Sequence, residues 1–398
     1  MAMLSLPNFS LPKRVFFRSY DRNCRMLTLK HGYRPPTRFE IVRAMLRHGR
    51  NLRKGHPSAK SQPALQASLL SDDPFISYSG MSGTPLGLAS HMPLLPRSHR
   101  AWFLVSPTWS IENSSSVKTI RTYAVLHRLR NPRHSLIFLS NTQAEADLLN
   151  QSGEAAVLHN KTSTTSEHIF KPLDDVPVEF DAIYNAQLAP WKRHDLSLGI
   201  PRCAFVFYRD SNESSTKESE RARIDRHRVL APHHVFINEF DGTDKPVRLS
   251  SAHVNTHLNR AAVGICLSEV EGPMFASTEY LLAGLPVVTT PNLGGRDLYL
   301  DDEYSLTVPP DPRSVAEAVL ALKERRIPRA YIRSQTLKRV ERDRERFIGL
   351  VNEIFLESGS LHRIAMPWPF RYPVMEWLPP QIAIDQSLSG AVDAFVTA

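Results

Sequence analysis

The stretch that most constrains the fold is 267–297, which has the pattern of a loop, a helix, a turn and a short strand. After Gly272-Pro273, which interrupts any preceding helix, apolar side chains recur at three- and four-residue steps, the spacing of one buried helix face. Gly284 predicts the helix end, because glycine adopts a left-handed cap without steric cost. The apolar, β-branched run at 286–290 is typical of a buried parallel strand. The stretch therefore indicates an α/β domain.

Two carboxylates flank the start of the predicted helix. Glu271 lies in the loop before it, and Glu279 follows in its predicted second turn. A helix N-terminus offers unpaired N–H groups and a partial positive charge to a phosphate. The carboxylates are then left to accept hydrogen bonds from hydroxyl groups. A ligand that carries hydroxyl groups beside a diphosphate is a nucleotide sugar, so the pattern predicts a nucleotide-sugar site.

This stretch resembles the retaining group 1 glycosyltransferases of the GT-B fold, whose donor site has E-x7-E, a small-residue helix and a PVV strand. The resemblance implies an α/β fold with two Rossmann-like domains facing across a cleft. It also implies that Glu271 contacts the donor sugar and Glu279 the nucleotide ribose. The sequence GGRD at 294–297 stands where the family often has GGxxE. The family's glycine-rich donor loop is replaced by Gly272, Pro273, Met274, Phe275 and Ala276. The alternative interpretation is an ordinary helix–strand unit with two incidental acids.

A second part of the resemblance is the segment QLAPWKRH at 187–194, which follows a predicted strand at 180–185. In the family, R-x4-K clamps the donor diphosphate. Lys192 matches the lysine, and Gln187 occupies the arginine position, where it donates hydrogen bonds without a charge. Arg193 is the candidate for the missing positive charge, and a basic surface loop is the alternative. The resemblance thus implies Glu271 and Lys192 as catalytic residues, with Gln187 and Arg193 among the donor-binding residues.

The sequence predicts no metal site and no cofactor apart from the nucleotide sugar as co-substrate. No Asp-x-Asp pair stands at a strand end, and His233-His234 would point to opposite faces of a strand. The cysteines, Cys24, Cys203 and Cys266, are too far apart for a disulfide framework or a ligand set, which favours a reducing compartment. Lys192, backbone N–H groups and the helix end would stabilise the departing diphosphate. Retention of configuration is implied by the resemblance alone.

A chain of 398 residues exceeds the roughly 250–300 residues at which single cores stop growing, so two domains are expected. The predicted boundaries are 71–175 for an acceptor-side domain and 176–340 for a donor domain, joined through the proline-containing linker at 171–179. Residues 1–70 are predicted as a basic extension or partly structured head. Residues 341–398 are predicted as a C-terminal helix and tail, which the resemblance suggests cross back to the first domain.

Hydrophobic periodicity and turn residues locate the other elements. Strands are predicted at 102–105, 135–140, 155–158, 203–208, 233–239 and 262–267. Helices are predicted at 119–129, 142–149, 249–260 and 314–322, and 212–228 as a charged helix or loop. Thr142 and Glu145 form a capping pattern, and His127 is interpreted as a core or surface histidine rather than a group acting on an acceptor.

Positive charge is concentrated at the start of the chain. Residues 1–60 hold fourteen Lys or Arg and two acids, whereas the whole chain has a net charge of +9. A predicted helix at 39–54 places Val42, Met45 and Leu46 on one face and arginines largely on the other. This pattern suits a solvated helix of the first domain, slightly favoured, or an anionic membrane surface. Nucleic acid ranks third and is not expected, since no binding motif accompanies the charge; a transit peptide would need more serine.

The predicted function is transfer of a sugar from a nucleotide-sugar donor to a glycan, lipid or small-molecule acceptor. The predicted location is cytoplasmic, with peripheral contact on the inner face of a membrane as one interpretation, because no apolar run approaches the roughly 18–20 residues of a span. The first alternative is a glycosyltransferase-like subunit that binds without turnover, which Gln187 and the altered donor loop favour. Others are a sugar-nucleotide epimerase or phosphorylase on the same fold, and a basic nucleic-acid binder.

Overall fold

Two parallel-rich sheets, covered by helices, form the framework of the protein. The computed structural model describes residues 26–55, 65–91, 100–208, 220–242 and 245–379. Within these ranges each sheet has six strands, in the orders β12-β1-β2-β3-β4-β5 and β11-β10-β9-β6-β7-β8. The expected α/β class with two Rossmann-like domains is confirmed.

The first sheet contains the expected strand–helix–strand alternation. Its strands are β1 (Leu65–Asp72), β2 (Phe75–Gly80), β3 (Ala101–Ser106), β4 (His134–Ser140), β5 (Ala156–Leu158) and, from the end of the chain, β12 (Glu376–Leu378). Its helices are α1 (Met26–Lys30), α2 (Arg38–Arg53), α3 (Ser114–Arg130) and α4 (Gln143–Ser152). β2 to β5 are parallel, whereas β1 is antiparallel to both neighbours. β1 crosses the residue-70 boundary, so the first sheet begins inside the segment predicted as a head.

Helix α4 illustrates how local sequence sets an element. Thr142 Oγ1 accepts from the Glu145 N–H at 3.1 Å, and Gly153 ends the helix with φ +91°. The predicted capping residue and stop are therefore confirmed. The Glu145 side chain does not close a capping box. It instead accepts from the backbone N–H groups of Ile111 and Asn141 at 3.0 and 2.8 Å, and so holds two loops of the first domain together.

The second sheet is entirely parallel. Its strands are β6 (Phe180–Gln187), β7 (Cys203–Tyr208), β8 (Val235–Phe236), β9 (Ala261–Cys266), β10 (Val287–Thr289) and β11 (Ser305–Thr307). Its helices are α5 (Glu220–Leu230), α6 (Ser251–Asn259), α7 (Phe275–Leu282) and α8 (Pro312–Arg325). The strand predicted over 233–239 is shorter than expected. The Phe207 N–H donates to Asn238 Oδ1 at 2.8 Å, and this side-chain bond replaces further backbone pairing between β7 and β8. Of the charged segment 212–228, residues 212–219 lie outside the described ranges.

A long helix, α9 (Arg329–Glu357), belongs to both domains. Ile332 and Val340 pack in the core of the second domain, and Phe347 and Val351 pack against the back of the first sheet. Between them, Arg344 donates to the carbonyls of Ser163 and Thr165 at 2.8 and 2.9 Å. β12 then pairs with β1, so the end of the described chain lies on the first domain.

Each domain contains a buried histidine pair where a helix turns into the next strand. The two segments share the pattern H-R-x3-P-x-H, at 127–134 and 227–234. His127 Nε2 lies 3.1 Å from His134 Nδ1, and His227 Nε2 lies 2.9 Å from His234 Nδ1. Burial lowers the pKa of His127 and His227, the latter to about 4, which favours the neutral form of these two histidines. His127 is thus a core histidine, as expected, and the repeat escaped the sequence analysis.

Helix α2 packs differently from the amphipathic pattern. Its N-terminus has a capping box between Thr37 and Glu40, and Ile41 and Ala44 pack on α3. Val42, Met45 and Leu46, the predicted apolar face, are 55%, 49% and 63% exposed. The buried face, which contains Ile41 and Ala44, therefore differs from the predicted apolar face, because α3 covers only that side of the helix. None of the helices within the described ranges combines the length and apolar character of a membrane span.

Candidate functional site

The candidate site lies at the carboxyl ends of strands β6, β9 and β10. Parallel strands present their following loops at one sheet edge, and such edges are where ligands bind in α/β folds. Here these loops are 188–193, 267–274 and 290–297. Together they contain six of the nine residues predicted from the resemblance. The other three lie on the adjoining strand and helix: Gln187 ends β6, and Phe275 and Glu279 lie in α7.

Lys192 and Glu271 are brought into direct contact. Lys192 ends a 3₁₀ turn after β6, and the Tyr184 hydroxyl donates to its carbonyl at 2.9 Å. The ammonium group pairs with Glu271 Oε1, and both residues are only 6% exposed. A buried charge pair of this kind is costly to break from one side, because the remaining charge is left unpaired.

Glu279 is held from the end of β6. It lies in the second turn of α7, as predicted, and accepts from Asn185 Nδ2 at 2.9 Å. The Asn185 backbone N–H donates to the Tyr280 hydroxyl at 2.6 Å, which fixes the strand end against the helix. Burial raises the pKa of Glu279 to about 7, against the opposing effect of the Asn185 amide. Near neutral pH this carboxyl can therefore accept or donate hydrogen bonds.

The substituted donor loop is packed against the first domain. Gly272, Pro273 and Met274 are buried. A Cβ on Gly272 would lie 2.5 Å from the Thr108 carbonyl oxygen, so only glycine permits this approach. Helix α7 begins at Phe275, slightly later than the expected start near Pro273, and ends at Leu282, two residues before a left-handed Gly284 with φ +77°. The predicted glycine stop is confirmed.

Helix α7 has an uncapped N-terminus. Met274 occupies the N-cap position and makes no side-chain capping bond. Within the described residues, the backbone N–H groups of Phe275 and Ala276 have no acceptor. These groups are the ones that an anion at a helix start would engage.

The other two predicted clamp residues do not converge on the Lys192 ammonium group. Gln187 ends β6 and is half-buried beside Tyr208, its partner on β7. Arg193 has φ +49°, and its guanidinium donates to the Leu267 carbonyl at 2.6 Å and to Thr290 Oγ1 at 2.8 Å. Arg193 thus ties two strand-end loops together and does not lie free in the cleft.

Arg296 acts as a buried tie within the GGRD segment. It is 2% exposed, donates to the Ser268 carbonyl at 2.7 Å and pairs with Asp297 at 2.7 Å. This segment was recognised from the resemblance, but no role was predicted for its arginine. Its bonds explain why the loop after β10 stays against the loop after β9.

The first domain contributes residues that the sequence analysis missed. Asn160 Nδ2 donates to the Gly295 carbonyl at 2.6 Å, across the domain boundary. The next residue, Lys161, is 5% exposed, and its ammonium group lies 5.8 Å from the Phe275 ring centroid. Trp109 and Trp191 meet edge to face, with ring centroids 6.2 Å apart. The only sequence signal was the place of Asn160 and Lys161 at the end of a predicted strand.

A cavity of about 330 Å³ lies on the first domain beside this contact. Its lining combines apolar and hydroxyl side chains, without a charged one, and includes Met81, Pro85, Thr108, Trp109, Ser116 and Ile120. The segment 81–85 contributes Met81, Gly83, Thr84 and Pro85 to this lining. Thr108 and Trp109 therefore face both the cavity and the donor-loop side of the cleft.

No group of three His, Cys, Asp or Glu side chains in the described ranges could hold a metal ion. Cys203 and Cys266 are buried free thiols, and Cys24 lies outside those ranges.

Comparison with known proteins places this geometry in a wider context. A profile of the glycosyl transferases group 1 family matches residues 236–325, which include α7 and both predicted glutamates. No curated protein matches the chain.

Solved structures resemble the chain at low sequence identity. Sucrose-phosphate synthase (tll1590) from Thermosynechococcus elongatus is 14% identical with a TM-score of 0.50, covering 89% of this chain and 82% of its own. The C-terminal domain of a glycosyl transferase group 1 family protein (LpcC) from Francisella tularensis is 14% identical with a TM-score of 0.34, covering 44% and 96%. Anabaena Alr3699/HepE in complex with UDP is 15% identical with a TM-score of 0.45, covering 66% and 73%. The segment 236–325 is therefore similar to the glycosyl transferases group 1 family, and the chain has the GT-B fold.

Proposed function

We propose that this protein is a glycosyltransferase that binds a nucleotide sugar at the carboxyl edge of the second sheet. The observation that carries the proposal is the convergence of Lys192, Glu271 and the uncapped start of α7 on one buried site beside Glu279. A cation and free N–H groups suit the diphosphate, whereas the two carboxylates suit the hydroxyls of the sugar and ribose.

The proposed chemistry stabilises the departing nucleotide diphosphate without a metal. As the bond to the anomeric carbon breaks, negative charge grows on the diphosphate, and the Lys192 ammonium and the α7 N–H groups would stabilise it. Glu271 would orient the sugar and Glu279 the ribose. Retention of anomeric configuration is part of the same proposal and rests on the family resemblance.

A donor-binding test separates this proposal from its rivals. We expect one nucleotide among UDP, GDP and ADP, or its sugar conjugates, to raise the midpoint of thermal unfolding. Ligand at a hundred times its Kd stabilises by about 2.7 kcal/mol, which is a shift of a few degrees. Glu279→Ala should abolish the shift for that nucleotide. The surface change Glu317→Ala on α8 is the matched control and should retain it.

No shift with any nucleotide would contradict the proposal. The second candidate, a subunit that binds without turnover, is favoured by three features of the predicted diphosphate clamp. Lys192 already pairs with Glu271, Arg193 is bonded to the loop framework, and Gln187 is uncharged. A thermal shift combined with no sugar transfer and no release of free nucleotide from its sugar conjugate would support that candidate instead.

We also propose that α2 contacts an anionic membrane surface. The solvent-facing side of this helix exposes Phe39, Val42, Met45 and Leu46 among arginines. Apolar side chains flanked by cations suit the boundary between anionic headgroups and acyl chains.

Vesicle sedimentation tests the membrane proposal. Each Lys or Arg near an anionic surface contributes about 1 kcal/mol, so binding to vesicles with phosphatidylglycerol should exceed binding to pure phosphatidylcholine at least about tenfold. Leu46→Asp should weaken it, whereas Val229→Asp, on an 82% exposed residue of α5, should not. Equal binding to both vesicle types, or an unaffected Leu46→Asp, would refute the contact.

A further inference from the structure

Lys161 is a buried lysine without a counter-ion. It follows β5 in a 3₁₀ turn at Lys161–Thr164, is 5% exposed, and forms neither an ion pair nor a side-chain hydrogen bond within the described residues. Burial lowers its pKa to about 8, so the ammonium form still dominates at neutral pH. An uncompensated buried charge is unfavourable, which indicates that the folded protein keeps this lysine for an anion.

The turn that carries Lys161 is held rigidly against the second domain. The Asn160 side chain accepts from Thr162 N–H at 3.0 Å and donates to the Gly295 carbonyl at 2.6 Å. A Cβ on Gly295 would lie 2.6 Å from Asn160 Nδ2 and 2.5 Å from Asn141 Cβ, so the two domains are in close contact here. The lysine is therefore aimed by a rigid turn rather than by a mobile loop.

The ammonium group faces the start of α7. Its nitrogen lies 5.8 Å from the ring centroid of Phe275, the first residue of that helix. Met274 is the N-cap residue and its side chain makes no capping bond, and the N–H groups of Phe275 and Ala276 have no acceptor in the described ranges. A buried cation and an uncapped helix start, one from each domain, thus face the same small region.

We propose that Lys161 is a phosphate ligand supplied by the first domain, which binds the diphosphate of a nucleotide at the first turn of α7. This inference rests on the proposed glycosyltransferase function. The nucleotide would be held by Lys192 from the second domain and by Lys161 from the first. Binding of the diphosphate therefore favours the arrangement in which the two domains touch, whereas a nucleoside without phosphates gains nothing from Lys161.

Calorimetric titration of three variants tests the assignment. The ligands are the stabilising nucleoside diphosphate from the panel of UDP, GDP and ADP, its nucleoside, and inorganic pyrophosphate. We expect Lys161→Met to raise the Kd of the diphosphate at least about tenfold and to leave nucleoside affinity unchanged. Lys161→Arg should retain most of the affinity. Lys171→Met, on an exposed linker lysine, should bind as the unaltered protein does.

A stability measurement separates a ligand role from a structural one. Because Lys161→Met removes an unpaired buried charge, the unliganded variant should melt at the same or a higher temperature than the unaltered protein. Unchanged diphosphate affinity in Lys161→Met would overturn the assignment, whether or not the melting temperature is also lower.

The outcomes also distinguish the two proposals. If no nucleotide binds but pyrophosphate binds and requires Lys161, the anion site stands and the proposed glycosyltransferase function fails. If nucleotides bind equally to Lys161→Met, the proposed function stands and the Lys161 assignment fails. If neither nucleotides nor pyrophosphate bind, both are overturned.

Discussion

Replacing Lys192 by Met should lower the rate of sugar transfer by about 10²–10³-fold, the cost of removing one group that stabilises developing charge. The lysine is 6% exposed, so its effect on a diphosphate is not screened by bulk water. The measurement is release of free nucleotide from the sugar conjugate of the nucleotide that stabilises the protein. Lys192→Arg should retain part of the rate, because it keeps the charge.

The same variant should also be less stable, and a matched control separates the two effects. Losing Lys192 leaves Glu271 buried and unpaired, which costs about 3–5 kcal/mol. Lys323 pairs with the buried Asp181, 2.6 Å away at the start of β6, although its own side chain is 42% exposed and Arg202 also pairs with Asp181. Lys323→Met should lower stability and keep the transfer rate of the folded protein. A Lys192→Met enzyme that is folded and fully active would refute the proposed role.

Gly294→Ala should destabilise the second domain by about 3 kcal/mol or more. Gly294 has φ +111°, which L side chains rarely adopt, and a Cβ there would lie 1.8 Å from the Glu271 carbonyl oxygen. That carbonyl cannot move freely, because the Glu271 N–H donates to the Leu293 carbonyl at 2.9 Å. The substitution therefore pushes apart the loops that carry the candidate site. Chemical unfolding and the nucleotide-induced shift should both report the loss.

Gly349→Ala is the control for adding the same methyl group. Gly349 lies inside α9, and a Cβ there meets nothing within 4 Å. Alanine is favoured over glycine in a helix interior by about 1 kcal/mol, so this variant should be more stable. If Gly294→Ala unfolds at the same denaturant concentration as the unaltered protein, the turn accommodates a Cβ at this position and the prediction is wrong.

Part of the candidate site could be predicted from the sequence, because that part depends on residues close together in the chain. Helix periodicity placed Glu279 in the second turn of a helix, and the glycine at 284 marked the end of that helix. The strand at 180–185 was predicted from its apolar pattern, and Lys192 after it was assigned through its match to the R-x4-K clamp of the resembled family. Arg193 was the exception, because its bonds to Leu267 and Thr290 join segments more than seventy residues away.

Local pattern by itself determined the α/β class, most element positions, and the order of Lys192, Glu271 and Glu279 along the chain. These depend on residue periodicity and on the backbone freedom of glycine, which act over a few residues. Only the tertiary structure decided that Lys192 pairs with Glu271, that Lys161 faces α7 across the domain contact, and that α2 leaves its apolar side exposed. Those features depend on which surfaces of the folded chain meet. Burial, charge pairing and close approach between distant segments produce no periodic pattern in a sequence.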